Sequence, residues 1–181
     1  NVHQINKPNH YVRYLQNNPH EIDQLFKELL ISVTSFFRDP DSYRALAKGP
    51  FPELLKSRPD NYTLRAWVPG CATGEEVYSY AIVLRECMES MCKHFDVQIF
   101  GTDLDNAAID SARVGRYPSG IGVDVSPERL ERYFVTEERS YRIRKAIREM
   151  ALFAPPTVIK DPPITKLDTP AGPHPVLYLQ S

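Results

Sequence analysis

The chain has 181 residues, 42% of them hydrophobic, and a formal net charge of -1 with acidic and basic residues interspersed. Such a composition supports one substantial core with a small appended subdomain. It shows neither the basic footprint of a nucleic-acid or anionic-membrane binder nor an apolar run long enough to cross a bilayer. Cys71, Cys87 and Cys92 are odd in number, lack C-x-x-C spacing and have no cluster of His nearby, so they read as reduced thiols of a cytoplasmic protein, and no metal site is expected. No signal-peptide pattern opens the chain, which begins at Asn1 without Met and is expected to be a fragment.

Tyr11, Val12, Tyr14 and Leu15 suit the end of a first helix. Asn18-Pro19-His20-Glu21 then predicts a second, with Asn18 as N-cap, Pro19 at the first helical position and Glu21 closing a capping box. It runs to about Leu30, and its stripe of Ile22, Leu25, Phe26, Leu29 and Leu30 reads as core. Residues 31–40 read as an extended segment before a helix capped by Asp39. If Val33 and the Phe36-Phe37 pair face the core, Thr34 and Arg38 share a cleft in which a fixed cation would meet a carboxylate. The local sequence by itself favours a surface Arg38 beside Asp39. Helical pieces at 40–48 and 51–56, punctuated by Gly49-Pro50 and Pro59, layer against a sheet.

Residues 63–68 are short, β-branched and aromatic, and closed by Pro69-Gly70, which is how a buried strand ends. From Glu75 onward Val77, Tyr78, Ala81, Ile82 and Leu84 or Arg85 recur at helical spacing, while Gly70 and Gly74 bracket a turn whose backbone N–H groups can approach a ligand. The Gly-x-x-x-Gly spacing is not the dinucleotide fingerprint, which excludes a nicotinamide dehydrogenase, and no Lys-Ser/Thr follows Gly74 to make a phosphate loop. Glu75 and Glu76 stand there instead; they suit the helix dipole but repel phosphate, so the favoured ligand is a cationic or neutral nucleoside. Cys71, near the helix N-terminus, is either a thiol of lowered pKa or a small residue filling the turn, the second being favoured. A second buried strand, 96–102, ends in Asp103-Leu104-Asp105. Asp103 sits where doubly wound folds place the acceptor of ribose hydroxyls, whereas Asp105 caps the helix beginning near Asn106. The bland alternative makes Asp103 another cap and the glycine turn a plain connection.

That helix ends at Gly115 as C-cap. Residues 117–121 read as loop, Ser126-Pro127-Glu128 starts a helix bearing Leu130, Tyr133 and Phe134, and 141–144 and 150–154 read as strands. The block carries Arg129, Arg132, Arg139, Arg142, Arg144, Lys145 and Arg148, diluted by glutamates, and interrupts the alternation of strands and helices as an inserted subdomain. Pro155, Pro156, Pro162, Pro163, Pro170, Pro173 and Pro175 make most of the last segment loop, leaving 176–179 as a further parallel strand.

In this order SVTSFFRDP, WVPGCATGEEVYS, FGTDLD, VSPERLERYF and FAPPTVIKDPP resemble the chemotaxis receptor methyltransferases of the CheR type, over nearly the whole chain. The resemblance implies an α/β fold with a Rossmann-like, doubly wound methyltransferase sheet, truncated here. Its parts would be the end of an N-terminal helical domain (1–31), a cofactor domain (32–116), the small insert (117–154) and a return to the sheet (155–181). It further implies S-adenosylmethionine as cofactor, S-adenosylhomocysteine as product, and methylation of glutamates on the cytoplasmic helices of chemoreceptors; fused signalling domains in the parent chain are left open.

The same resemblance places Thr34 and Arg38 at the cofactor, with Ser32 where many members have Asn, and makes Arg38 and Tyr178 the residues that orient the reacting carboxylate. Gly70, Cys71 and Ala72 would wrap the cofactor, Glu75 contact its methionyl amino end, and Asp103 hold the ribose. Thr157-Val158 stands near the adenine where members read Asn-Leu or Asn-Val. Gly172-Pro173-His174 replaces the usual Cys-Arg-Asn, which supports an alternative, a catalytically impaired cofactor-binding module that docks on receptors. The insert's loop, 136–140, lacks the glycines of members that grip a receptor tail, implying weak or no tail dependence.

Overall fold

A computed structural model describes residues 8–22, 25, 34–59, 62–155 and 178–180. The chain falls into two compact units, Asn1–Ser32 and Val33–Ser181. In the first, helix α1 (Pro8–Asn17) buries none of its residues, and residues 19–22 are again helical. Asn18 stands immediately before that second helix, and its carbonyl accepts from Glu21 N at 3.0 Å. Its Nδ2 donates to the Tyr14 carbonyl at 2.7 Å, serving the unpaired end of α1, and Glu21 Oε1 accepts from the Tyr11 hydroxyl at 3.2 Å. Ile22, expected in a core, is 48% exposed. Phe26, Leu29 and Leu30 of the expected stripe lie outside the described residues.

The second unit opens with α2 (Pro40–Lys48) and α3 (Pro50–Ser57). Proline at the first turn of each supplies the preset φ and lacks an N–H that would have no partner there. Strand β1 (Thr63–Pro69), helix α4 (Glu75–Ser90), strand β2 (Asp96–Thr102) and helix α5 (Asn106–Val114) follow. β1 and β2 pair in parallel with Thr63 opposite Asp96 and Pro69 opposite Thr102, so both strands end at one level. Leu64, Ala66 and Val68 of β1 and Val97 and Ile99 of β2 are buried.

α4 is more than the amphipathic helix its spacing predicts. Val77 to Leu84 are all buried, as are Cys87 and Met88, because α4 packs on β2 and on α2 and α3. A helix covered on nearly every side is apolar nearly all round. Each fully buried Val, Leu or Ile in it contributes about 1.5–3 kcal/mol, and the hydroxyl of the fully buried Tyr78 donates to the Ala112 carbonyl at 2.7 Å.

The insert forms a second, antiparallel sheet in the order β3-β5-β4, from β3 (Arg116–Pro118), β4 (Phe134–Glu137) and β5 (Ser140–Ile143). Helix α6 (Pro127–Tyr133) precedes β4, with Ser126 as its N-cap, and the short α7 (Lys145–Arg148) follows β5. Residues 117–121, expected as loop, hold part of β3 and a 3-10 turn at Ser119–Val123. A three-residue strand has too few positions to show alternation, and its pairing with β5 is what defines it.

β6 (Ala151–Ala154) pairs in parallel with β2, so this end of the expected insert belongs to the main sheet. The main sheet runs β6-β2-β1-β7. Strand β7 (Tyr178–Gln180) is antiparallel to β1, with Tyr178 opposite Trp67, where a parallel strand was expected. Parallel neighbours need a crossover, commonly helical, and the proline-rich sequence from 155 to 175 carries no helix signal to impose one.

Candidate active site at the carboxyl ends of β1 and β2

The turn after β1 places three residues in the left-handed region within five positions: Gly70 (φ 64°), Ala72 (φ 45°) and Gly74 (φ 92°). Glycine takes this conformation freely, whereas Ala72 is strained there by roughly 1–3 kcal/mol. Its backbone is held by Asp103, whose Oδ2 accepts from Ala72 N at 2.8 Å. Oδ1 accepts from Asp105 N at 2.9 Å. The Asp103 carboxylate thus ties the glycine turn to the end of β2, and since a carboxylate offers about four acceptor positions, both oxygens keep capacity for a ligand. Asp105 caps α5 as expected, accepting from Ala107 N at 2.8 Å.

Cys71 is 1% exposed. Burial, with the Asp103 charge beside it, pushes its thiol up to about 12, so it fills the turn and is no thiolate at neutral pH. Cys87 is likewise buried and Cys92 exposed. Brief alkylation of the native chain is therefore expected to label Cys92 and spare Cys71 and Cys87; peptide mass mapping checks this, and Cys71 labelled before unfolding would contradict the buried turn.

Gly74 leads into α4, whose first turn carries Glu75 and Glu76. Burial holds both carboxyls above the usual carboxylate range, opposed by a Thr73 hydrogen bond at Glu75 and by Tyr80 and the Arg38 charge at Glu76. Thr73 Oγ1 donates to Glu75 Oε2 at 2.6 Å, and the Tyr80 hydroxyl to Glu76 Oε1 at 3.2 Å. Two carboxylates short of solvation at a helix N-terminus make a setting that a cation would relieve.

The strap before α2 is fixed by its two aromatics. Phe36 packs edge-on against Tyr117 and Phe134 of the insert, with ring centres 4.8 and 5.5 Å away. Phe37, at φ 49°, donates its N–H to Ser79 Oγ at 3.1 Å. Ser79 Oγ in turn donates to the Glu75 carbonyl at 2.7 Å, so the strap is tied to the first turn of α4. Thr34 is half-buried and Arg38 exposed, and the Arg38 charge acts on Glu76. Arg38 is thus exposed, as the local sequence favours, with its charge close enough to act on Glu76 of α4.

The structure therefore gathers Gly70, Cys71, Ala72, Glu75 and Asp103 at the strand ends, with the Thr34–Arg38 strap fastened beside them. Tyr178 lies in β7, on the side of β1 away from β2. Ser32, Thr157 and Val158 lie outside the described residues, as do Gly172, Pro173 and His174. Among the described residues no group of three or more His, Cys, Asp or Glu could hold a metal ion, and no helix is long and apolar enough to cross a membrane.

Sequence reasoning missed several supports. The Glu76–Tyr80 pair was open to it, being one helical turn apart. Ser79 under Phe37, the Tyr117 hydroxyl on the Thr73 carbonyl (2.7 Å) and Arg129 on Glu86 (2.9 Å) act across 42, 44 and 43 residues, and nothing local announces them.

A parallel β6-β2-β1 sheet with a glycine turn after the first strand and an acidic end to the second defines a Rossmann-like α/β fold. Residues 32–171 match the family model described as the CheR methyltransferase, SAM binding domain; the chain belongs to the CheR methyltransferase family. It is 31% identical over 142 residues to the chemotaxis protein methyltransferase of Listeria monocytogenes, covering 76% of this chain and 52% of that one. It is 28% identical over 152 residues to the chemotaxis protein methyltransferase of Escherichia coli K12, covering 81% and 50%. An uncharacterized 104.1 kDa protein in the hypE 3' region of Rhodobacter capsulatus is 35% identical over 179 residues, which is 99% of this chain and 19% of that protein. The chain thus spans about half the length of these chemotaxis methyltransferases, and a fifth of the larger relative.

Proposed function

We propose that the chain binds S-adenosylmethionine at the carboxyl ends of β1 and β2 and, within a longer protein, serves methylation of glutamate side chains on the cytoplasmic helices of chemoreceptors. The observation that carries this is the Asp103 carboxylate, which holds the strained Ala72 turn and keeps acceptor capacity beyond these two bonds. The site fits the cofactor's chemistry. A methyl group added at Gly70 would meet nothing within 4 Å, so the turn offers open space for a ligand, and the under-solvated Glu75 and Glu76 suit a molecule bearing a sulfonium and an ammonium.

In this reading Asp103 accepts from the ribose hydroxyls, and Gly70, Cys71 and Ala72 present backbone to the ligand. Glu75 pairs with the methionyl ammonium, Thr34 lies at the cofactor, and by the family resemblance Ser32 belongs to the cofactor set, with Thr157 and Val158 near the adenine. When bound, S-adenosylmethionine supplies an activated methyl group and is left as S-adenosylhomocysteine. Arg38 and Tyr178 hold the accepting glutamate, whose carboxylate is ionised at neutral pH because its ordinary pKa is about 4.3. No general base is then required, and the residues act by positioning and by excluding water. Further domains in the parent chain are in keeping with the much longer Rhodobacter relative.

The test is transfer of labelled methyl groups by the protein containing this chain to a receptor cytoplasmic fragment. The expected result is label released as methanol by mild base, the behaviour of a carboxyl ester, and lost when the receptor's glutamates are replaced by alanine. Cofactor binding without any base-labile transfer would favour a docking module instead.

A further inference from the structure

We propose that Arg129 of the insert is a positioning residue that fixes the strap bearing Arg38; the inference rests on the reading of Arg38 as part of the S-adenosylmethionine site. Arg129 Nε and Nη2 reach the two carboxylate oxygens of Glu86 on α4 at 2.9 and 2.8 Å, a fork that sets the plane of the guanidinium. Both side chains are about one-third exposed, at 30% and 29%. The same guanidinium lies over the Phe37 ring, 4.2 Å from its centre.

Phe37 needs such a cover. It is a bulky residue at φ 49°, a conformation that persists only where its surroundings impose it. Ser79 holds its N–H, and Tyr43 meets its ring edge-on, with centres 5.3 Å apart. Beside the ring lies a cavity of about 280 Å³, lined by Phe37, Pro40, Tyr43, Arg44, Ala47 and Arg129. With the Arg129 fork removed, the ring has room to swing into that space and the backbone to leave the left-handed region. Arg38, the next residue, would be displaced with it.

Arg132 is the built-in comparison. One turn along α6 it pairs with Glu89 on the same helix α4, and its guanidinium lies over Tyr133, not over the strap. The experiment measures S-adenosylhomocysteine affinity by calorimetry in the parent chain, Arg129→Met, Arg132→Met, Arg38→Ala and the Arg38→Ala/Arg129→Met double variant. Arg129→Met is expected to weaken binding roughly fivefold to tenfold, and Arg132→Met less than about twofold. In the Arg38→Ala background the Arg129→Met effect should fall below about twofold, as for residues coupled through one contact.

Arg129→Lys, which keeps the charge but not the fork, should fall between and serves where Arg129→Met does not fold. Equal affinities in Arg129→Met and Arg132→Met, or an Arg129→Met effect undiminished without Arg38, would overturn the inference alone. A folded parent chain that binds nothing overturns the cofactor reading, and this inference with it.

Discussion

Gly74→Ala is expected to lower the unfolding free energy by about 2–4 kcal/mol, the sum of a left-handed backbone forced on an L side chain and a methyl group driven into packed neighbours. At φ +92°, the added Cβ would lie 2.9 Å from Ala112 Cβ and 3.1 Å from Phe153 Cζ. Neither neighbour yields cheaply. Ala112 is fully buried, and the Phe153 ring is wedged edge-on against Tyr78, with centres 5.5 Å apart. Gly70→Ala is the matched comparison. At φ +64° it has nothing within 4 Å of the added methyl, so only the backbone cost of about 1–2 kcal/mol remains. Urea denaturation followed through Trp67, the one tryptophan of the chain, measures both. Equal losses in the two variants would contradict the packing of the turn against α5 and β6.

Asp103→Ala is expected to weaken S-adenosylhomocysteine binding about 100-fold or more, since hydrogen bonds to a charged group are worth roughly 1.5–3 kcal/mol each and two ribose hydroxyls would lose theirs. The variant also strips the acceptor from Ala72 N and Asp105 N, so the turn loosens as the ligand's partner disappears. Asp103→Asn separates the two effects. One amide oxygen can still receive a backbone N–H, but the side chain then has a single acceptor where the carboxylate has two. Its affinity should lie between those of the parent and Asp103→Ala.

Local chemistry made much of this molecule legible in its sequence. Pro69-Gly70, the apolar spacing after Glu75 and the Asp105/Gly115 pair mark β1, α4 and both ends of α5, because strand ends, helix faces and caps are fixed by neighbours a few residues apart. The contact of Asp103 with the glycine turn was approachable because parallel strands of equal length bring their carboxyl ends together.

What escaped depends on distant partners. β3 is a strand only because β5 lies beside it, and the Asn18 amide turns back to the Tyr14 carbonyl in the helix before it. The direction of β7 follows a connection without a helix signal. Arg129 looked like one charge in a mixed face, and its partners Glu86 and Phe37 stand in elements that only folding brings near. The lowered thiol pKa conceivable for Cys71 from its helix terminus is overridden by burial and the Asp103 charge, neither of which a short sequence window displays.

The most direct measurement is a calorimetric titration of the folded chain with S-adenosylhomocysteine, beside Asp103→Ala and with a nicotinamide dinucleotide as a second ligand. The account predicts one S-adenosylhomocysteine bound per parent chain, loss of that binding in Asp103→Ala while the variant stays folded, and no heat from the dinucleotide. Undiminished binding by Asp103→Ala, or no binding by the folded parent, would contradict a cofactor site at the ends of β1 and β2.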